Sequence, residues 1–277
     1  MLVDSHCHLD FPDFADDLDG IVARAEAAGI GRMVTISTRV KRLGGLLAIT
    51  ERFPDVYCSV GTHPHHADEE DGIPASELIE LTKHPKVVAL GEAGLDYFYE
   101  HGSREAQERG FRAHIAAARA TGLPLVIHAR DADTDMARIL TEAHRAGPFA
   151  CVMHCFTSGA ALAEAALGLG FYLSISGIAT FRSAGDLRAI FAAAPRERSG
   201  GASGMLGTAR LLGQTIGAAL VALLLARFPA DGTRLSLMVG VGFALVGAML
   251  SMLRLSSAGS RGAERVRVQE GQRLKGE

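Results

Sequence analysis

The first 198 residues predict an α/β fold, a TIM-type (β/α) barrel that is incomplete, with about seven of its eight strands. Three observations lead there. Short β-rich apolar runs alternate strictly with helix-period stretches, the pattern of a parallel sheet, open or closed into a barrel. Histidine and glutamate recur at the carboxyl ends of those runs, the end at which barrel enzymes gather their active sites. The alternation then stops where an eighth strand is due.

In chain order, Leu2-Val3 begins the first strand. Ala27-Ala28-Gly29 closes a helix and leads into Arg32-Met33-Val34-Thr35-Ile36-Ser37. Val56-Tyr57-Cys58-Ser59-Val60 and Val87-Val88-Ala89-Leu90 read as the third and fourth strands. Ala120-Thr121-Gly122 precedes Leu123 to His128, Arg145-Ala146-Gly147 precedes Phe149 to His154, and Leu169-Gly170 precedes Phe171 to Ser176. Glycine just past a helix accepts the left-handed conformation that ends it. A last helix runs from Ala184 to Ala194, capped by Ser183 and ended by Pro195.

Composition divides the 277 residues. All eleven His and all four Cys lie at or before position 155, and beyond 198 the chain is rich in Gly, Ala and Leu. A net charge of −3 excludes a broad basic nucleic-acid surface, so any nucleic acid would be held locally. Cys7, Cys58, Cys151 and Cys155 follow neither CxxC nor zinc-ribbon spacing, and Met1-Leu2-Val3-Asp4 runs straight into polar residues. Both features point to reduced thiols in a cytoplasmic domain. Residues 199–204 read as a linker. Residues 205–253 hold two apolar segments, Met205 to Ala226 and Leu235 to Leu253, joined by a turn at Phe228 to Gly232. The second segment carries no charge over a length that spans a bilayer, so a transmembrane-like helical hairpin associated with the membrane is expected. Flanking arginines place both of its ends, and the preceding domain, in the cytoplasm. Residues 254–277 read as a disordered basic tail.

His6-Cys7-His8 lies on the first strand. Alternate strand residues point to one face, so two imidazoles project together, as in a metal chelate. A lone pair of this kind near a terminus is equally two surface histidines; the other strands decide. The third strand runs into Gly61-Thr62-His63-Pro64-His65-His66 and the fourth into Gly91-Glu92-Ala93-Gly94-Leu95-Asp96. The fifth ends at His128, followed by Arg130, and the sixth at His154. His or Glu at five carboxyl-end positions points to one metal-holding mouth. Arg130 would either clamp a phosphate or make a surface ion pair, and His63 and His65 would either touch substrate or fill the rim.

These residues resemble the TatD family of metal-dependent hydrolases, relatives of the amidohydrolase barrels. Asp4-Ser5-His6-Cys7-His8-Leu9-Asp10, Gly61-Thr62-His63-Pro64-His65 and Gly91-Glu92-Ala93-Gly94-Leu95-Asp96-Tyr97 carry the resemblance. Leu125 to Arg130, His154-Cys155-Phe156-Thr157 and Ser174-Ile175-Ser176-Gly177 extend it, so that it covers about residues 1–198. The resemblance implies an ester-cleaving hydrolase, a phosphodiesterase of the deoxyribonuclease kind that works 3′→5′ on DNA single strands or ends. It implies two divalent metal ions, magnesium first, with zinc or manganese as substitutes. His6 and His8 would hold one, His128 and His154 the other, and Glu92 would bridge them. Glu92, His128 and His154 would be catalytic, His63, His65 and Arg130 would contact substrate, and Asp96 and Tyr97 would support the Glu92 loop. A bridging carboxylate keeps two metals ~3.5–4 Å apart, where they polarise a phosphoryl oxygen and stabilise the leaving oxygen.

The sequence departs from the family after residue 198. There the family's last strand supplies a Glu-Thr-Asp stretch whose Asp ligates the first metal. This chain has no acidic residue between Ser199 and Asp231. The resemblance thus implies an impaired first metal site, with a metal-binding pseudoenzyme as the alternative to an active enzyme. Ser203 to Gly217 and Leu235 to Leu253 resemble the last two helices of major facilitator drug:proton antiporters. That implies a join of two unrelated fragments and, for the tail alone, a membrane-integral fragment.

Overall fold

The computed structural model describes residues 1–193, 220–228, 231 and 233–242. Seven strands make one sheet: β1 (Leu2–Cys7), β2 (Ile30–Thr35), β3 (Val56–Val60), β4 (Val87–Asp96), β5 (Leu125–Arg130), β6 (Cys151–Met153) and β7 (Tyr172–Leu173). They lie in sequence order, and every neighbouring pair is parallel. Helices α1 (Leu18–Ala27), α2 (Leu43–Arg52), α3 (Ala75–Leu81), α4 (Arg104–Thr121), α5 (Asp133–Arg145) and α6 (Ala160–Gly168) fill the crossovers, and α7 (Gly185–Ala193) follows β7. Sequential parallel order with a helix at each crossover is how a β/α barrel winds. Among the described residues β1 and β7 each have one neighbour, so the sheet is the unclosed, seven-stranded barrel that the sequence predicts.

Three strands differ most in extent from expectation, β6 being cut from Phe149–His154 to Cys151–Met153. β4 continues to Asp96 instead of stopping at Leu90. Its Gly91-Glu92-Ala93-Gly94 run looks like a loop in sequence, yet after an irregularity between Leu90 and Ala93 the strand pairs with β5 from Ala93 to Asp96. β7 shrinks to Tyr172–Leu173, because it pairs only with Val152 and Met153 of β6.

The helices follow from their caps and apolar stripes. α4 starts at Ser103, whose side chain accepts the Ala106 N–H, and buries Phe111, His114, Ile115 and Ala118. It stops at Gly122, whose φ of 72° is left-handed and whose N–H donates to the Ala118 carbonyl at 2.9 Å. α5 carries Asp133 and Asp135 in its first turn and His144 and Arg145 in its last, matching the helix dipole at both ends. Leu90, Leu95, Leu125, Ile127, Phe111, Ile115 and Ile139 are fully buried in the main core. Each such side chain contributes about 1.5–3 kcal/mol of burial. A smaller core of Leu9, Val22, Met33 and Val56 lies under β1 and β2.

The chain divides into two compact units, Met1–Met205 and Leu206–Glu277. In the second unit residues 220–227 and 233–242 are helical. The apolar hairpin expected at 205–253 falls largely outside the described residues. Among the described residues no helix is long and apolar enough to cross a membrane, so the membrane-spanning reading gains no support. The linker and the basic tail also lie outside them.

Candidate metal centre

β4 brings two carboxylates to the mouth, Glu92 and Asp96, both almost fully buried. Close strand approach makes room for this. A Cβ on Gly94, whose φ is 148°, would collide with the His128 carbonyl oxygen of β5. A Cβ on Gly61, past β3, would lie 2.5 Å from the Gly91 Cα. Only glycine lets the third, fourth and fifth strands draw together under the site.

Glu92 faces imidazoles on both of its oxygens. Its Oε2 lies 3.3 Å from His6 Nε2, and its Oε1 lies 3.2 Å from His128 Nδ1. His154 stacks on His6, ring centroids 3.3 Å apart and planes within 5°. His63 Nε2 lies 3.2 Å from His128 Nδ1. Three groups offer donor atoms within 4.8 Å of one another: His6, Glu92 and His154; His63, Glu92 and His128; His65, Asp96 and His128. The structure thus draws His154 to His6, and brings His63 to the His128 side. His8 joins none of these groups. Its ring stands edge-on to His6 at 5.1 Å and stacks on Phe11 at 4.6 Å. Its Nδ1–H donates to the Ile36 carbonyl at 3.2 Å, which leaves Nε2 as a lone pair.

The outer support is denser on the His128 side. Asp96 Oδ2 accepts from His65 Nε2 at 2.8 Å and from His128 Nε2 at 2.9 Å. Its Oδ1 accepts the Phe98 and Tyr99 N–H groups, each at 3.0 Å. Gln107 of α4 clamps the Asp96 backbone, accepting its N–H at 2.8 Å and donating to its carbonyl at 3.1 Å. Glu70 accepts the Val40 and Lys41 N–H groups, both at 2.8 Å, and the Thr62 hydroxyl. His114 Nε2 accepts the Thr62 N–H at 3.1 Å. The turn that presents His63 is therefore anchored from behind. Sequence reasoning missed Gln107, Glu70 and His114. The available signal was polar residues on otherwise apolar helix faces, Gln107 and His114 sharing one with Phe111.

The chemistry of the donor set fits divalent cations. His63 Nδ1 accepts the His65 N–H at 3.2 Å, so His63 carries its proton on Nε2. His128 Nδ1 then faces that proton and Glu92 Oε1 together, and one imidazole nitrogen cannot accept from the first while donating to the second. His6 Nε2 is buried without an aligned hydrogen bond, although Glu92 is close. Protons alone leave lone pairs facing one another here, which is the arrangement a cation resolves. Protonation states agree for three imidazoles but not for His128, where burial opposes the charged form yet the Glu92 and Asp96 carboxylates outweigh it and raise the ring above its usual value. Burial holds His63 at about 3 and His154 at about 4, and burial together with His6 lowers His8. Neutral imidazole is the metal-binding form. Burial opposes ionisation of Glu92, but the imidazoles of His128 and His6 beside its two oxygens outweigh it and hold the carboxyl well below its usual range. Asp96, against its own burial, is held at about 2 by the Tyr99 N–H, His65 and His128.

Arg130 lies over the rings of Phe98 and Tyr99, at 4.3 and 4.9 Å, and among the described residues no carboxylate pairs with it. Tyr97 donates its hydroxyl to Asp135 at 3.0 Å, away from the cluster.

A sequentially wound parallel β/α sheet whose carboxyl-end mouth gathers imidazoles around a buried carboxylate defines a metal-dependent hydrolase of the barrel class. Residues 3–199 match the profile of the TatD related DNases, and the chain belongs to that family. It is 34% identical over 198 residues to an uncharacterized metal-dependent hydrolase of Bacillus subtilis, YabD, which covers 72% of this chain and 77% of that one. It is 33% identical over 200 residues to a protein of Salmonella typhimurium named 3'-5' ssDNA/RNA exonuclease TatD, covering 71% of this chain and 76% of that one. The solved structure of a TatD homologue from Escherichia coli superposes with a TM-score of 0.64 at 28% identity, covering 70% of this chain and 75% of that one.

Proposed function

We propose that this chain is a phosphodiesterase that removes nucleotides from single-stranded or frayed 3′ ends of DNA, using two divalent ions. The observation that carries the reading is Glu92, a buried carboxylate held well below its usual pKa range, with His6 at one oxygen and His128 at the other and His154 and His63 completing the two groups. His6 and His154 would hold an ion on one side, with His8 close by, and His63 and His128 on the other. The ions, magnesium by family, would supply Lewis acidity to a phosphoryl oxygen and its leaving group. The chain's own residues do the rest. Glu92 keeps a negative charge between the two imidazole sets. Asp96 fixes the ring orientation of His65 and His128. Arg130, without an ion pair among the described residues, offers N–H groups to a phosphate. The Salmonella relative's name supports a nucleic-acid substrate.

The missing acidic residue after Ser199 favours a second reading, in which the chain binds metal but turns over slowly or not at all. One experiment separates them. The purified chain is assayed for metal stoichiometry and for hydrolysis of labelled single-stranded DNA, beside His128→Ala. The enzyme reading expects magnesium-dependent shortening from the 3′ end that His128→Ala abolishes. Stoichiometric metal without shortening would establish the pseudoenzyme.

A further inference from the structure

The mouth carries an aromatic surface that the metal chemistry does not use. Phe98 and Tyr99 lie two and three residues past Asp96 and are 52% and 47% exposed. Two adjacent large rings left half in water are costly unless something covers them. They are not loose: the Asp96 carboxylate that holds His65 and His128 through Oδ2 holds the backbone of both aromatics through Oδ1. The rings meet edge to face at 4.7 Å. A file of rings leads inward from them: Tyr99 to His65 at 5.3 Å, His65 to His63 at 4.5 Å, and His63 to His128 at 4.4 Å.

Charge adds a second argument. On the outer helices Arg109, Arg112 and Arg138 are each neutralised by carboxylates. Arg130, by contrast, has no ion pair among the described residues and lies on the Phe98 and Tyr99 faces. A guanidinium stacked in this way keeps its N–H edge free for an anion. Arg130 covers part of both rings and His101 lies parallel to Tyr99 at 5.8 Å, but the rings stay half-exposed, and such ring surface beside a guanidinium unpaired among the described residues matches the two repeating parts of a single strand, a base with open faces and a phosphate. A closed duplex offers no such face, because each base is already stacked.

We propose that Phe98 and Tyr99, with Arg130 across them, form a stacking shelf for an unpaired base of single-stranded nucleic acid. Arg130 takes the adjoining phosphate while a phosphodiester lies at the Glu92 cluster. The shelf makes single strands and frayed ends the preferred substrate. This rests on the phosphodiesterase reading above but is tested by binding, not turnover.

The test compares a fluorescent oligothymidylate with an abasic strand of equal length, both phosphorothioate-linked to resist cleavage, bound to the full chain in magnesium. The wild type is expected to bind the thymidylate about 10-fold more tightly, within the range for one stacked base. Phe98→Ala with Tyr99→Ala should bring that ratio close to one. Phe98→Leu with Tyr99→Leu keeps apolar bulk without the ring face and should do the same. Arg130→Gln should weaken both strands and lower the salt slope by about one. Tyr172→Ala removes an exposed ring that touches none of the site's rings, and should leave the ratio intact. A ratio that survives either double substitution, or a wild type without base preference, overturns the shelf alone. No binding of either strand overturns the nucleic-acid reading with it. Tight, base-dependent binding without hydrolysis of an ordinary strand supports the shelf and removes only the phosphodiesterase.

Discussion

On the His128 side of Glu92 each ring is held by another group: His128 by Asp96, His65 by Asp96 and His63 by the His65 N–H. On the His6 side, among the described residues, the rings of His6 and His154 stack face to face with His8 edge-on to His6 and Glu92 close but unaligned, and no hydrogen bond fixes either ring. His8 is tied to the Ile36 carbonyl and turned toward Phe11. One half of the mouth is therefore preorganised by strands β4 and β5 and helix α4, while the other is short of outer support. Metal sites take much of their affinity from such outer partners, so the two halves should differ in strength.

The most severe way to erase the difference is to remove what the halves share. Glu92→Gln should lower bound metal below one equivalent per chain and reduce hydrolysis by about 1000-fold or more, since several kcal/mol of charge stabilisation go with it. Retention of two equivalents by inductively coupled plasma analysis would show that Glu92 bridges nothing. Next in size is the contrast itself. Manganese titration by calorimetry should resolve a tight and a weak class. His128→Ala should remove the tight class and His6→Ala the weak one, each at a cost above the ~100-fold seen for outer-shell changes. Two equally tight sites would contradict the asymmetry.

Smaller effects sharpen it. Asp96→Asn leaves Glu92 in place but loosens His65 and His128. It should cost about 10–100-fold in metal affinity on the His128 side only. An equal loss on the His6 side would mean that Asp96 acts on the whole mouth. The smallest effect is a pH slope. His114, fully buried behind the His63 turn, is kept below its usual value by burial, so the folded chain resists taking up its proton. The unfolded chain takes up that proton below about 6.5, so folded stability falls as pH drops through that value, by at most ~1.4 kcal/mol per pH unit. Thermal unfolding of the metal-free protein between pH 7 and 5 should therefore be steeper for the wild type than for His114→Gln. Parallel curves would remove His114 from the account.

Legibility in the sequence followed the physics. The alternation of apolar runs and glycine-ended helices gave the number and order of the strands, because each strand is a local run between local stops. Glu92, His128 and His154 were legible as candidates because each follows an apolar run, although β4 continues past Glu92 to Asp96 and β5 past His128 to Arg130. The partition of ligands was not visible, since whether His154 turns toward His6 or His128 depends on how strands curve together. Nor were the outer supports: Gln107 and Glu70 act across α4 and the segment before α3, on partners far away in sequence. The extension of β4 to Asp96 was hidden by glycines, which read as a loop until the close approach of β5 explains them.

His6 is the penultimate residue of β1 and His154 follows β6, strands that are not neighbours in the sheet among the described residues, yet their rings stack. Whatever clasps that pair closes a loop running from residue 6 to residue 154, and can do so only once the sheet has wound. A ligand that binds the folded chain alone adds about 2.7 kcal/mol at a hundredfold excess over its Kd. The level of free divalent ion around the protein would then govern more than turnover: it would set how long a newly made chain lasts before proteases reach its opened form.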